Sequence, residues 1–145
     1  MEISILAVTR ENYEAVCELD VTAAQQALVA CNMWSLVEAT FNDNYETRAI
    51  YLDDTPVGFF MWVKETAAKV SIWRFMVDQH HQQKGIGRLA LDYALDDIKQ
   101  NGAITDIEIC YQPNNPVAKD FYASFGFVEV GMDEDDDDML AILKL

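Results

Sequence analysis

The residues best suited to chemistry lie at 82–88, where the chain reads Gln-Gln-Lys-Gly-Ile-Gly-Arg after a β-prone run. Glycines at 85 and 87 would let backbone N–H groups face outward at the start of a helix, where the helix dipole favours a pyrophosphate. Lys84 and Arg88 would add positive charge, which is unusual in a chain with 10 basic and 25 acidic residues. The alternative is an ordinary strand-to-helix turn whose glycines serve packing.

Spacing separates this loop from two common phosphate-binding motifs. The chain has no G-x-x-x-x-G-K-[ST], and no G-x-G-x-x-G with an acidic residue at the end of a following strand. The pattern that is present, Q-x-x-G-x-G, begins at Gln82. Further along, the chain reads N-x-x-A-x-x-x-Y from Asn115 to Tyr122, followed by Phe125-Gly126-Phe127.

Together the two motifs resemble those of the GCN5-related N-acetyltransferases, and the likeness extends over nearly the whole chain. The resemblance implies direct transfer of an acetyl group from acetyl-CoA to a primary amine within a ternary complex. It also implies that the backbone of Phe75, Met76 and Val77 bonds the pantetheine arm as an added strand would, and that Gln82 opens the pyrophosphate loop. The backbone amides that would hold the pyrophosphate belong to Gln83, Lys84, Gly85, Ile86, Gly87 and Arg88.

The second motif supplies the remaining site residues that the resemblance implies. Asn115 matches the residue that reaches the pantetheine amides, and Tyr122 matches the one whose phenol approaches the thioester sulfur. Tyr122 would act as a general acid on the departing thiolate, because a phenol with a pKa near 10 is protonated at neutral pH. The alternative for Tyr122 is an aromatic helix residue that packs beside Phe121 and Phe125.

A base must also deprotonate the amine, because a primary ammonium is not a nucleophile. Glu108 is a candidate, since an acidic residue inside a predicted central strand is unusual; the alternative is a solvated or paired carboxylate. A covalent route through Cys110 is less favoured, because the resembled enzymes generally proceed without a covalent intermediate. Nothing nearby in sequence would lower the pKa of this thiol.

One feature of the sequence bears on the identity of the acceptor substrate. It is an acidic run, Asp133-Glu134-Asp135-Asp136-Asp137-Asp138. Such a run is usually a solvated loop whose charges repel one another, and the alternative is that it concentrates a polycation. The stretches 25–32, 35–36 and 56–59 resemble the bacterial spermine/spermidine acetyltransferase-like branch, which implies a small cationic amine as substrate. Conceivable amine contacts are Glu38, Tyr45 and Trp73, although core packing suits Trp73 as well.

Two rival functions stay open at this point. One is acetylation of another amine, such as a protein N-terminus, a lysine or an aminoglycoside. The other is a non-catalytic CoA-binding regulatory module, which the presence of both Tyr122 and the intact loop argues against. Related enzymes are often homodimers, although nothing in these residues by itself indicates an oligomeric state.

Hydrophobic periodicity predicts a mixed α/β (α+β) chain in the order β-α-α-β-β-β-α-β-α-β-β. The resemblance adds the fold: a mixed central sheet of about seven strands with helices on both faces. Thr9 is the expected N-cap of the first helix. The expected elements are a strand at 3–8, one interrupted or two short helices at 23–41, strands at 47–52, 57–63 and 68–77, a helix at 85–100, a strand at 104–111, a helix ending near 124, and strands at 126–130 and 139–145.

Composition bounds the partners and the location. The formal net charge of −15 repels nucleic acid and anionic membrane surfaces. A hydrophobic fraction of 51% over 145 residues predicts one folded domain, 1–145. The three cysteines and the adjacent pair His80 and His81 lack the spacing of a disulfide framework or a metal site, so no metal is expected. The sequence has no apolar run long enough to span a bilayer, which predicts a cytoplasmic protein.

Overall fold

Strict alternation of side chains along the central strands divides the protein into two cores. In the third strand, Phe59 and Met61 enter one core, whereas Phe60 and Trp62 enter the other. All four side chains are buried, as expected when both faces of a strand are covered. The sheet is therefore sandwiched between two helical layers, as the sequence predicts.

The computed structural model describes residues 2–26, 30–100 and 102–145. Its eleven α-helices and β-strands follow the predicted order. They are β1 (Ile3–Ala7), α1 (Tyr13–Glu18), α2 (Asn32–Thr40), β2 (Tyr45–Leu52), β3 (Thr55–Lys64), β4 (Lys69–Val77), α3 (Ile86–Lys99), β5 (Asp106–Tyr111), α4 (Pro116–Ala123), β6 (Val128–Met132) and β7 (Met139–Lys144). A short 3-10 helix at Gln79–His81 lies between β4 and α3.

The seven strands form one mixed sheet in the order β1-β2-β3-β4-β5-β7-β6. Every neighbouring pair is antiparallel except β4 and β5, which run parallel because α3 connects them by a crossover. Helices α1 and α2 pack on one face, against β3 and β2, and α3 packs on the other, against β1 and β4. This arrangement confirms the predicted sheet of seven strands with helices on both faces.

Two local predictions are corrected by the structure. Helix α1 begins at Tyr13 rather than directly after Thr9, because Asn12 accepts a hydrogen bond from the Thr9 amide at 2.7 Å and holds an intervening turn. Among the described residues of the predicted helical region 23–41, only α2 is helical; residues 23–26 form a turn, and 27–29, which include Ala27 and Leu28, lie outside the described residues.

Candidate active site

The central feature of the site is a gap between the parallel strands β4 and β5. Their register pairs end at Ile72 with Ile109, so the edge of 73–77 that faces β5 has no partner strand within the described residues. The opposite edge of β4 stays bound to β3, with Val77 opposite Gly58. A cavity of about 740 Å³ opens where the strands separate. An unpaired strand edge beside a cavity can accept an extended ligand by backbone hydrogen bonding.

A bulge in β4 marks the beginning of this free edge. The register with β3 shifts between Phe59 and Met61, and Arg74 has a φ of +56°. Gly58 allows the two backbones to approach closely here, since a Cβ at that position would lie 2.6 Å from the Met76 carbonyl oxygen. The position of the free edge therefore depends on a glycine in the neighbouring strand.

The loop from β4 to α3 is held by a side chain of the Q-x-x-G-x-G motif. The Gln82 amide nitrogen donates to the Val77 carbonyl at 2.9 Å and to the Gln25 side-chain oxygen at 2.9 Å. Gln82 thus fixes the end of β4 to the start of the loop. It also joins the loop to the connection between α1 and α2.

The two glycines of the loop are not required for packing. Gly85 precedes α3 with a φ of +78°, and nothing lies within 4 Å of its added Cβ; at Gly87 the nearest atom would be a methyl of Val77 at 3.9 Å. Gly85 is therefore needed for its left-handed backbone conformation, and Gly87 leaves the surface of the first helical turn free of a side chain. Within the described loop, no side chain caps this helix, so the amides of its first turn are available to a ligand.

The two cations of the loop differ in their surroundings. Lys84 is exposed, whereas the Arg88 guanidinium donates to the Ser124 hydroxyl at 2.8 Å and lies 4.8 Å from the centre of the Phe125 ring. Arg88 consequently ties the start of α3 to α4. Its charge stays beside the loop, but the group is engaged with aromatic and hydroxyl neighbours.

Helix α4 presents Tyr122 and Asn115 to the same cavity. The Asn115 side-chain oxygen accepts from the Ala118 amide at 3.2 Å and caps the helix, which leaves the amide NH₂ group for other partners. The Tyr122 ring stacks on Tyr111 and contacts Phe127 edge-on, with centroid distances of 6.0 and 5.8 Å. Burial, with a smaller contribution from Cys110, raises the pKa of Tyr122 above its ordinary value. Its phenol is therefore protonated at neutral pH, as a proton donor must be.

The structure brings six of the thirteen predicted site residues together around one cavity. Six of them line it: Phe75, Met76, Val77, Gln82, Asn115 and Tyr122. The residues 83–88 continue from Gln82 into the first turn of α3.

Comparisons with known proteins agree with this geometry. The sequence profile of the Acetyltransferase (GNAT) family matches residues 10–127. The chain belongs to this family. It is therefore an acyltransferase, and the predicted resemblance is confirmed.

Individual relatives and solved structures are similar to the chain at modest sequence identity. It is 28% identical over 134 residues to spermine/spermidine N(1)-acetyltransferase of Bacillus subtilis strain 168, covering 88% of each chain. It is 26% identical over 113 residues to the [ribosomal protein bS18]-alanine N-acetyltransferase of Salmonella typhimurium, covering 76% of each. The crystal structure of spermidine N-acetyltransferase from Vibrio cholerae, in complex with CoA and spermine, superposes with a TM-score of 0.79 at 14% identity, over 98% of this chain and 95% of that one.

Glu108 lies apart from the cavity of this GNAT protein. Its carboxylate pairs with the Lys69 ammonium at 2.9 Å, beside the part of the sheet where β4 and β5 are still joined. It is not among the residues that line the cavity. This geometry matches the paired carboxylate that was the alternative to a base.

Cys110 lines the cavity, but its thiol is not activated. Burial raises the pKa of Cys110 to about 11, and the carboxylates of Asp138, Asp133 and Glu108 act in the same direction. At neutral pH the group is a thiol rather than the nucleophilic thiolate. The environment of Cys110 thus disfavours a covalent route.

The acidic turn between β6 and β7 contributes three carboxylates to the cavity, those of Asp133, Asp135 and Asp138. Asp133 organises the turn by accepting from the amides of Asp137 and Asp138 at 2.9 and 3.2 Å. Burial raises the pKa of Asp138, and the neighbouring carboxylates of Asp133 and Asp137 raise it further. The turn is therefore both solvated and part of the cavity wall.

The three predicted amine contacts, Glu38, Tyr45 and Trp73, already contact other side chains of the protein. Glu38 forms an ion pair with Arg74 at 2.7 Å, and Arg74 also lies over the Trp73 ring at 5.0 Å from its centre. Tyr45 packs edge-on against Trp73 at 5.3 Å. Of these, Trp73 and Arg74 line the cavity. No role for Arg74 could be predicted from sequence, because its position depends on the bulge in β4.

Gln25 and Tyr111 are two further cavity residues whose roles the sequence did not reveal. Gln25 receives the hydrogen bond from Gln82, and Tyr111 stacks on Tyr122. Among the described residues, no group of three or more His, Cys, Asp or Glu is placed to hold a metal ion. In the same ranges, no helix is long and apolar enough to cross a membrane.

Proposed function

We propose that this GNAT acetyltransferase transfers an acetyl group from acetyl-CoA to a primary amine of a polyamine such as spermine or spermidine. One observation carries the proposal: Asp133, Asp135 and Asp138 line the same cavity as Tyr122 and the free edge of β4. Carboxylates that surround a reacting centre attract an acceptor with several positive charges. The relative of this chain from Bacillus subtilis is named for spermine and spermidine.

The residues present fit acetyl-CoA as the acyl donor. The unpaired edge at Phe75, Met76 and Val77 offers backbone groups to the pantetheine amides, and the Asn115 NH₂ group lies along the same cavity. The first-turn amides of α3 and Gly85 suit the pyrophosphate. Acetyl-CoA would supply an activated thioester carbonyl to this site.

Tyr122 acts as the general acid in this proposal. Attack by the neutral amine forms the new C–N bond, the C–S bond breaks, and the Tyr122 hydroxyl gives its proton to the departing sulfur. Because its pKa is raised, the phenol carries that proton throughout the neutral range. The attacking nitrogen carries one proton too many once the C–N bond has formed, and it releases that proton to water. Tyr122 regains a proton through the same water, so the proton count closes before the next turnover.

The amine must lose a proton before it attacks. Asp138 replaces Glu108 as our candidate base, because it lines the cavity and its raised pKa makes it a better proton acceptor than an ordinary carboxylate. The Arg74 guanidinium would repel a cationic acceptor, but the Glu38 carboxylate pairs with it at 2.7 Å and offsets its charge. The net charge presented to the acceptor is therefore negative.

The test is release of free CoA, monitored with a thiol reagent, from acetyl-CoA and a panel of amines at low and high salt. The panel contains spermine, spermidine, putrescine, a lysine peptide, a peptide with a free N-terminal alanine, and an aminoglycoside. We expect turnover with spermine and spermidine that weakens as salt rises, because salt screens the attraction. Turnover confined to the peptides or the aminoglycoside would overturn the polyamine assignment. Binding of acetyl-CoA without turnover of any amine would favour a non-catalytic module.

A further inference from the structure

The connection between α1 and α2 reaches the cavity through two side chains of one turn. Val21, which is 7% exposed, and the partly buried Gln25 both line the cavity. The backbone amides of Gln25 and Gln26 donate to the Thr22 carbonyl at 2.9 and 3.1 Å and close the turn. We refer to residues 20–26 as the 20–26 turn. The reaction proposed above gives Gln25 no role.

The alternation of side chains along β4 divides the cavity into two walls. Phe75 and Val77 belong to the core under α3, and Tyr122 packs against that core. Met76 and Val21 belong instead to the core on the side of α1 and α2. The 20–26 turn and Tyr122 therefore lie on different walls of the cavity.

The acidic turn between β6 and β7 lies on the same wall as the 20–26 turn. On β5, Ile109 and Tyr111 point into the core under α3, so Cys110 between them points to the side of α1 and α2. Asp133 and Asp138 line the cavity beside this thiol, and their carboxylates contribute to its raised pKa. The 20–26 turn consequently faces the acidic side of the cavity, which attracts the proposed acceptor.

Within the described residues, three hydrogen bonds attach the 20–26 turn to the chain that follows β4. The Asp20 amide donates to the Asp78 carboxylate at 2.9 Å, and the Gln79 amide donates to the Asp20 carbonyl at 2.8 Å. The third bond joins two side chains, since the Gln82 amide nitrogen donates to the Gln25 oxygen at 2.9 Å. Asp78 is only 6% exposed, and its carboxylate accepts from backbone amides. The turn is thus held by the loop that leads into α3.

Backbone partners determine the orientation of both amide side chains. The Gln82 nitrogen faces the Val77 carbonyl, to which it donates at 2.9 Å. The Gln25 oxygen faces the Thr22 amide, from which it accepts at 3.2 Å. The bond between Gln82 and Gln25 therefore joins a fixed donor to a fixed acceptor. One amide nitrogen holds both the end of β4 and the 20–26 turn.

We propose that Gln25 is a positioning residue for the amine substrate, and that Gln82 holds it in place. Gln82 then serves both substrates: it shapes the loop for the acyl donor, and through Gln25 it holds the wall that faces the acceptor. The proposal rests on the proposed function, because it takes the acidic side of the cavity as the acceptor side. Gln25 acts through its position, since its oxygen is bonded to Thr22 and Gln82.

The test compares the KM values of variants for both substrates in the CoA-release assay, with spermine as the amine. Gln25→Leu keeps a side chain of similar size and removes the accepting oxygen. It should raise the KM for spermine about fivefold, the equivalent of one hydrogen bond, and leave the KM for acetyl-CoA unchanged. Gln82→Leu also loses the bond to Val77, so it should raise both KM values.

Two further variants separate positioning from folding. Gln25→Glu keeps an accepting oxygen for Gln82 and adds a negative charge, so its KM for spermine should not exceed that of the wild type. Gln26→Leu is the matched control, because Gln26 is an exposed glutamine of the same turn that does not line the cavity. Its KM values should stay at those of the wild type. Urea unfolding should show similar stability for Gln25→Leu and Gln26→Leu.

A double variant tests the link between the two residues. If Gln25 acts through its bond to Gln82, Gln25→Leu combined with Gln82→Leu should have the same KM for spermine as Gln82→Leu alone. Effects that multiply would show independent action and overturn the proposal. An unchanged KM for spermine in Gln25→Leu would overturn it too, as would an equal rise in the KM for acetyl-CoA, which would place Gln25 on the donor side.

Failure of the proposed function would be visible separately, in the wild type. A wild type that acetylates a peptide or an aminoglycoside but no polyamine would show that the polyamine assignment is wrong. The same variants are then measured with that amine. A higher KM for it in Gln25→Leu would still support the positioning role, and an unchanged KM would overturn that role.

Discussion

Tyr111 and Tyr122 stack with their ring planes only 6° apart and their centroids 6.0 Å apart, yet their hydroxyl groups have different surroundings. The Tyr111 hydroxyl donates to the carboxylate of Glu129, on β6, at 3.0 Å. Tyr122 lines the cavity next to the free edge of β4. The Tyr111 phenol is thus engaged in a structural hydrogen bond, whereas the neighbouring Tyr122 phenol lies where it can transfer a proton.

Removal of the Tyr122 hydroxyl should therefore affect chemistry rather than folding. Tyr122→Phe keeps the stacked ring and should lower kcat by about 10²- to 10⁴-fold, the range for loss of a general acid. The KM for acetyl-CoA should change little. Tyr111→Phe is the control: it loses one hydrogen bond, worth about 1 kcal/mol of stability, and should keep kcat. Steady-state kinetics and urea unfolding separate the two, and an unchanged kcat in Tyr122→Phe would remove our assigned acid.

The raised pKa of Tyr122 makes a prediction about pH. The active form of a general acid is the protonated one, and burial keeps this phenol protonated to a pH above its ordinary value near 10. The acceptor amine works in its neutral form, so kcat/KM for the amine should rise with pH from 7 to beyond 9 without a descending limb from Tyr122. A fall with an apparent pKa below 9 that disappears in Tyr122→Phe would contradict this assignment.

The acidic turn offers a test with an internal control. Changing Asp133, Asp135 and Asp138 to Asn should raise the KM for spermine about tenfold, at about 0.5 kcal/mol for each exposed ion pair. It should also lower kcat, because Asp138 is the candidate base. The same change at Glu134, Asp136 and Asp137, to Gln, Asn and Asn, removes equal charge from residues that do not line the cavity. That control should have a smaller effect, and the KM for acetyl-CoA should change in neither. Equal effects of the two triple variants would indicate a general field instead of a subsite.

Sequence patterns predicted the order of strands and helices because a strand that is buried on both faces reads as a continuous apolar run, whereas a helix packed on a sheet repeats its apolar residues on one side. Phe59 and Phe60 point to opposite cores, and the apolar positions of α3 recur on one side. The same patterns misjudged the region before β2. There α2 buries Asn32 through a hydrogen bond to the distant Val16 carbonyl and leaves Trp34 exposed, so its apolar residues do not mark its inward face.

Whether a residue of the candidate site could be predicted also depended on how local in sequence its surroundings are. Residues brought together by local motifs, such as Asn115 and Tyr122, were predictable, because a helix carries both of them to the same cavity. The surroundings of Glu108 were not, because its pairing with Lys69 depends on the register of two strands far apart in sequence. The role of Arg74, which begins the strand segment before the loop, was not predictable for a related reason: its position depends on a bulge in β4.

Cys110 provides a test of the direct mechanism. Because burial and nearby carboxylates raise its pKa to about 11, the thiol is a poor nucleophile at neutral pH. Cys110→Ala should therefore keep kcat close to that of the wild type in the CoA-release assay, and the wild type should show no burst of CoA before steady state. A burst that is lost in Cys110→Ala, together with kcat, would establish an acetylated cysteine and contradict direct transfer.

Gly58 and Gly87 test how the fold positions the acyl donor, because they separate stability from binding. In Gly58→Ala the new methyl would lie 2.6 Å from the Met76 carbonyl oxygen and 3.0 Å from Ile50, so the backbone of β4 must shift. This should cost about 1–3 kcal/mol in unfolding free energy and raise the KM for acetyl-CoA.

Gly87→Ala, unlike Gly58→Ala, should not lower the free energy of unfolding. Its methyl meets only Val77 at 3.9 Å, and alanine favours a helix over glycine by up to about 1 kcal/mol. The variant should be as stable as the wild type or more so, but the methyl narrows the loop that receives the pyrophosphate, so the KM for acetyl-CoA should rise. Urea unfolding and kinetics on both variants provide the comparison. An unchanged KM in both would mean that neither the β4 edge nor the start of α3 contacts the acyl donor.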